Sequence, residues 1–339
     1  MSKTMNALRR GISRRPCYSA STSHPHPPLR RFTSSRYVAT AKPRLETGES
    51  DPRLAHLGRR IHDDYAHIKD HYETPRLPIV LAHGLLGFAE LRLTPGWVPP
   101  VYYWRGISEA LRKNGVHVIT TTVPPSGSIE RRAEKLAQGI ADAAGGREVN
   151  IIAHSMGGLD ARYMISHLRP ASVGVRSLVT VASPHHGSSF ADYLLREIGH
   201  DRLPRIYKLL ERVGMETGAF EQLTSAYMEN DFNPRTPDDP DVSYFSYGAT
   251  VDRLPLFSPF RQSHGVISRA EGPNDGLVSV ASSQWGSYKG TLVDVSHLDL
   301  INWTNRWRWM LRSLVGLTPG FNAIAFYLAI SDMLAKEGF

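Results

Sequence analysis

The sequence predicts an α/β fold: a mostly parallel central sheet with helices on both faces. Two observations carry the prediction. From Pro75 onward, short apolar runs rich in Val and Ile alternate with longer stretches whose apolar residues recur at helical spacing. Turn formers stand where one pattern gives way to the other, as at Gly145-Gly146 and Pro170.

Taken in order, 77–82 reads as a buried strand, 103–114 as a helix and 116–123 as a β-branched strand. Residues 129–144 carry apolar side chains at helical spacing and stop at the Gly pair. The strand 149–153 leads straight into His154-Ser155-Met156-Gly157-Gly158, and 159–168 is the helix that leaves it. Further strands are expected at 177–182, 242–249 and 291–295. Residues 188–240 interrupt the alternation with helical, mixed-polarity sequence and are read as an insertion. The segment 318–339 is expected to be a helix packed on the sheet. The chain is uncharged from Ser313 to Ser331, but Pro319-Gly320 divides that stretch. No apolar run reaches the roughly 18 residues that a spanning helix needs.

The 339 residues carry 40 Lys and Arg against 32 Asp and Glu, a formal charge of +8. The excess is local. Residues 1–44 hold ten of the basic side chains and no acid, which leaves the remainder at −2. The basic footprint of a DNA- or RNA-binding protein is therefore missing, and no nucleic-acid partner is expected. Within 1–44, Leu8 and Ile12 stand four apart among Arg9, Arg10, Arg14 and Arg15. That is the cationic amphipathic pattern of a mitochondrial transit peptide, with cleavage expected between about 35 and 50. Residues 45–74 are read as an extension with a helix around 54–68, ahead of a catalytic domain at 75–339. Cys17, the only cysteine, lies in the leader, so the body has no disulfide and no cysteine metal site.

The chemistry is expected at strand ends. A serine in a sharp strand-to-helix turn holds its hydroxyl above the sheet, with a helix N-terminus behind it. Ser155 has that context, with small residues, Ala153 and Gly157, two before and two after it. A serine is a poor nucleophile until a base takes its proton. Of 15 histidines, His297 ends the last strand-like run, where a chain order of Ser, Asp, His would put the base. Asp275, in Asn274-Asp275-Gly276, stands 22 residues earlier and fits as the carboxylate that orients it, with Asp252 as runner-up. Acyl transfer also needs donors for a tetrahedral oxyanion. The backbone N–H groups of Met156 and Leu85 are the candidates, Leu85 lying in the loop after the first strand of the body.

Five motifs occur in order: His83-Gly84-Leu85-Leu86-Gly87, His154-Ser155-Met156-Gly157-Gly158, Ser183-Pro184-His185-His186-Gly187, Asn274-Asp275-Gly276-Leu277-Val278 and His297-Leu298-Asp299. Together they resemble the α/β-hydrolase lipases, in particular bacterial lipases of the Pseudomonas and Burkholderia type and fungal mitochondrial triacylglycerol lipases. The resemblance spans about 77–311, and Leu223-Thr224 with Phe232-Asn233-Pro234 resembles a segment near the lid of those lipases. It implies an α/β-hydrolase fold, a Ser155–Asp275–His297 triad, oxyanion donors at Leu85 and Met156, and a mobile lid within 188–240. No cofactor is required, but the bacterial relatives carry a structural calcium held by two aspartates, and Asp252 and Asp299 stand at the matching places. Three features depart from the pattern: Ala153 in place of the first elbow glycine, a leader unlike a secretory signal, and the missing disulfide.

The function expected is hydrolysis of acylglycerol esters at a lipid–water interface, on a lipid droplet or the surface of a membrane. A phospholipase or lipid acyltransferase would use the same triad. A non-catalytic lipid-binding module of the same fold would have no need of all three side chains.

Overall fold

The computed structural model describes residues 57–85, 103–196, 218–255, 258–303 and 320–339. The leader 1–44 lies outside them. So do residues 197–217, the centre of the expected lid. Residues Glu49–Phe339 form one compact unit, separate from Met1–Gly48.

Seven strands are found among the described residues: β1 (Arg60–Ile61), β2 (Ile79–Ala82), β3 (Val118–Thr120), β4 (Val149–His154), β5 (Val175–Val181), β6 (Ser243–Thr250) and β7 (Ser287–Val293). They pair in the order β1-β7-β6-β5-β4-β2-β3, and every neighbouring pair is parallel. Parallel strands need crossovers, and helices supply them. These are α1 (Ile107–Lys113), α2 (Ile129–Ala144), α3 (Gly157–Tyr163) and α4 (Arg261–Ala270), and a C-terminal α5 (Ala323–Lys336) follows the last strand.

Side-chain alternation along the central strands divides the core into two layers. Ile79, Leu81 and Ile152 face a cluster that includes Trp104, Ile107, Phe326 and Leu334. Val80, Ala82, Ile151 and Ala153 face the other side, where Leu136, Ile140 and Met164 pack. Both faces of β2 and β4 are therefore covered, which is why these strands read as unbroken apolar runs. The tail of the chain behaves as expected. α5 buries Ala325, Phe326, Leu328, Ile330 and Leu334, and among the described residues no helix is long and apolar enough to cross a membrane.

Local chemistry sets the element ends. Ser128 Oγ accepts the Arg131 N–H at the start of α2, and Gly145 closes it in a left-handed conformation, φ 61°. The helix expected at 103–114 starts only at Ile107, because Gly106 before it has φ 73°. The helix expected around 54–68 is not found. From residue 57 the chain makes turns and the short strand β1, with 54–56 outside the described region. Leu57 and Ile61 stand at helical spacing and both are buried, but the chain turns at Gly58, φ 57°, and Ile61 lies in the strand paired to β7. Thr291 N–H donates to Arg59 O at 2.8 Å, so the open edge of the sheet outweighs the local periodicity.

The insertion is helical at 189–196 and resumes as Gly218–Gln222, with further short turns to Arg235. Its Ala219, Met228 and Phe232 pack with Ile129, Met156 and Leu159, so this part rests on the start of α3.

Candidate active site

The C-terminal ends of β2, β4 and β7 converge with the loop between α4 and β7. Ser155 follows β4 directly and has φ 57°, a left-handed conformation that costs a side-chain-bearing residue about 1–2 kcal/mol. Three contacts hold it there. Ser155 N–H donates to Val181 O at 2.9 Å. A Cβ on Gly157 would lie 2.7 Å from Ala82 O, and one on Gly84 would lie 2.7 Å from Ser155 Cβ. Glycine at 84 and 157 is thus required by close approach of backbones. Ala153 needs no such relief, because its methyl group points into the core beneath β4.

His297 Nδ1 lies 2.7 Å from Asp275 Oδ2. The other carboxylate oxygen, Oδ1, accepts the N–H groups of Leu277 and Val278, each at 2.9 Å. The backbone repeats the link, since His297 N–H donates to Asp275 O at 3.0 Å. Asp275 is fully buried. A carboxylate so bonded keeps Nδ1 protonated and leaves Nε2 as a base. The acid loop is itself tied to the end of β6 by Val251 N–H to Asn274 O, 2.9 Å. Asp252, the other carboxylate considered for this role, is exposed and makes no bond to His297 among the described residues.

Ser155, His297 and Leu85 line one cavity of about 370 Å³. Its walls are apolar: Phe190, Leu194, Phe220 and Leu223 come from the insertion, and Phe260, Leu298, Ile301 and Trp303 from the body. Buried Met156 starts α3 beside the serine.

A family model described as a PGAP1-like alpha/beta domain matches residues 131–201. Among solved structures, a Bacillus licheniformis lipase superposes with TM-score 0.55 at 21% identity, covering 73% of this chain and 96% of that one. A metagenomic carboxyl esterase gives 0.60 at 17%, covering 87% and 82%. These likenesses show the α/β-hydrolase fold. Triacylglycerol lipase 2 of Saccharomyces cerevisiae is 35% identical over 326 residues, 81% of this chain and 96% of its own. The chain belongs to the triacylglycerol lipases. A triacylglycerol lipase of Vibrio cholerae is similar at 27% identity, over 68% of this chain and 81% of its own.

Several side chains around the lipase's serine have bonding roles that the sequence does not announce. His83 Nε2 accepts the Val123 N–H at 3.2 Å, so the ring's proton sits on Nδ1, which donates to Gly84 O at 3.0 Å. In a trans peptide the N–H points opposite to the C=O, so the bond on Gly84 O aims the Leu85 N–H the other way. Burial lowers His83 to about 4 and keeps the ring neutral. Arg132, fully buried on α2, donates Nη2 to His83 O at 2.9 Å and forms an ion pair with Asp160 of α3. Tyr103 and His154 join the same loop from the other side. Among the described residues, neither Leu85 N–H nor Met156 N–H has a protein acceptor.

The two aspartates considered for calcium are held differently. Asp299 is buried and its Oδ2 accepts the N–H and Oγ–H of Ser296, at 3.0 and 2.6 Å, clasping the turn that carries His297. Asp252 is exposed. Among the described residues no group of three or more His, Cys, Asp or Glu side chains is placed to hold a metal ion.

Proposed function

We propose that this lipase hydrolyses acylglycerols, triacylglycerol to diacylglycerol and fatty acid, through an acyl-enzyme on Ser155. The observation that carries the reading is the cavity: Ser155 and His297 line the same apolar cavity, and His297 is bonded to a buried carboxylate. His297 Nε2 takes the Oγ proton as Oγ attacks the ester carbonyl. The N–H groups of Leu85 and Met156 stabilise the oxyanion that forms. Collapse expels the diacylglycerol alkoxide, which takes the proton from His297. Water, deprotonated by the same imidazole, then releases the fatty acid and restores Ser155. Asp275 holds the imidazole in the productive tautomer and stabilises the imidazolium.

The lining of the cavity favours a neutral acylglycerol over a phospholipid. Among the described lining residues there is no Lys, Arg, Asp or Glu, and so no cation to meet a phosphate. The insertion supplies Phe190, Leu194, Phe220 and Leu223 to the wall, which suits a site that opens against lipid.

The deciding experiment labels the purified protein with a fluorophosphonate probe and assays triacylglycerol emulsions. Labelling and fatty-acid release should both vanish in Ser155→Ala. A folded Ser155→Ala variant that retained release would refute the assignment. The leader is proposed to carry the enzyme to mitochondria, and a 1–44 fusion to a fluorescent protein that stayed in the cytosol would count against it.

A further inference from the structure

We propose that Tyr103 is a positioning residue of the oxyanion site, its hydroxyl clamping the oxyanion loop to His154 at the nucleophile elbow. The proposal rests on the reading of Ser155 as nucleophile and Leu85 N–H as oxyanion donor.

Tyr103 Oη accepts the Gly84 N–H at 3.1 Å and lies 2.6 Å from His154 Nδ1. A hydroxyl has one hydrogen, and an amide N–H can only donate. With Gly84 N–H donating to Oη, the hydroxyl hydrogen is free to go to a bare His154 Nδ1, and the proposal takes the bond in that sense. The proton of His154 then sits on Nε2, a buried atom with no hydrogen-bond partner among the described residues. In this sense the chain runs from Gly84 N–H to Tyr103 O–H to His154 Nδ1. Burial, and then the nearby charge of His297 when protonated, keep His154 from taking a second proton. Burial likewise keeps the Tyr103 hydroxyl protonated.

The clamp is rigid. Tyr103 packs edge-on to Trp104, ring centroids 5.3 Å apart, and tilted against His83 at 5.4 Å. It is buried at the edge of the active-site cavity. The two peptides ahead of Leu85 are consequently bonded at three points. Arg132 holds His83 O, Tyr103 holds Gly84 N–H and the His83 ring holds Gly84 O. The one group left over is Leu85 N–H. The partner of the clamp, His154, is covalently next to Ser155, and its ring centroid is 4.5 Å from that of His297. Tyr103 thereby registers the donor loop against the residue that fixes the nucleophile. Without its hydroxyl, the Gly84 N–H is a buried donor without an acceptor, and the loop gains by turning that amide toward solvent. The Leu85 N–H would turn with it.

Tyr103→Phe tests this. Active sites are first titrated with a fluorophosphonate probe, so that kcat is expressed per labelled serine. The expected result is full labelling, kcat lower by about 10–100-fold and KM within about twofold of wild type. Affinity for a trifluoromethyl ketone, which forms a tetrahedral oxyanion on the serine, should fall by the same factor as kcat. A merely structural role would lower the labelled fraction and leave kcat per labelled site alone. Labelled Tyr103→Phe with kcat within twofold of wild type, or with unchanged ketone affinity, would overturn the proposal by itself. A wild-type enzyme that takes no label at Ser155 would overturn the nucleophile assignment and the proposal with it. The wild type gives a second test that needs no variant to fold. In ¹⁵N-histidine spectra, His154 should be the Nε2–H tautomer and should not titrate between about pH 5 and 8; an Nδ1–H tautomer ends the proposal.

Discussion

Arg132 and Asp160 meet in an ion pair of 2.8 Å with both side chains closed to solvent. The pair joins α2 to the helix that leaves Ser155, and Arg132 reaches on to the carbonyls of His83 and Pro124. Burial pushes the Asp160 carboxyl up to about 6 against the pull of Arg132, so it is still charged at neutral pH. Removing the arginine strands that charge. Arg132→Met should lower the unfolding free energy by about 3–5 kcal/mol, and Arg132→Met with Asp160→Leu should lose less than the two single changes combined. Urea unfolding of the four proteins measures this. A single-variant loss below about 1 kcal/mol would mean that Asp160 finds another partner.

Asp275→Asn is expected to keep the fold, because Oδ1 still accepts from Leu277 and Val278. The amide cannot accept from His297 through its nitrogen, so the imidazole is free to present the wrong tautomer. In serine hydrolases of this logic kcat falls about 10⁴-fold. A steady-state assay on a soluble aryl ester suffices. If Asp252→Asn were the damaging change and Asp275→Asn the silent one, the acid would have been assigned to the wrong carboxylate.

Stability should fall in acid partly through His83. Its folded pKa of about 4 lies below the ordinary 6.5, so below 6.5 the unfolded chain takes up a proton that the native ring refuses. The contribution is whole above the unfolded value and is lost progressively as pH falls towards 4, up to about 3 kcal/mol. Unfolding free energies measured between about pH 7.5 and 4.5 should show this slope, and His83→Gln should flatten it. An identical slope in the variant would assign the acid sensitivity to other groups.

Gly157→Ala should be more harmful than an average helix substitution. Alanine is the better helix former, but its methyl would sit 2.7 Å from Ala82 O and 2.8 Å from His83 O. α3 would have to move away from β2, at a cost of roughly 1–3 kcal/mol or more. A thermal midpoint equal to wild type would show that the helix has slack.

The parts of this lipase that could be read from sequence are those whose signal is local. Ser155 is legible because strand, turn and helix follow one another within a few residues around it. Asp275 and His297 follow from chain order and turn chemistry, although Asp275 sits after a polar helix, α4, which the apolar pattern did not reveal. β1 was hidden because Leu57 and Ile61 mimic a helical repeat, and only the waiting edge of β7 decides the matter. Tyr103, His83 and Arg132 were out of reach for a related reason. Tyr103 works through His154, 51 residues away, and Arg132 through His83, 49 away, so no spacing in the chain announces them.

β1 is only two residues long, yet it is the seal on one side of the sheet. Leu57 O accepts from Thr291 Oγ1 and Arg59 O from the Thr291 N–H, so the seal is made by residues that lie shortly after the leader. Removal of the proposed leader would therefore have a hard limit: a protease that cuts before Leu57 leaves the sheet closed. One that trims past Ile61 bares the backbone of β7 to strands of other molecules, and over-trimmed enzyme should accumulate as insoluble aggregate. Since β7 runs on into the turn that presents His297, the same trimming would also loosen the general base.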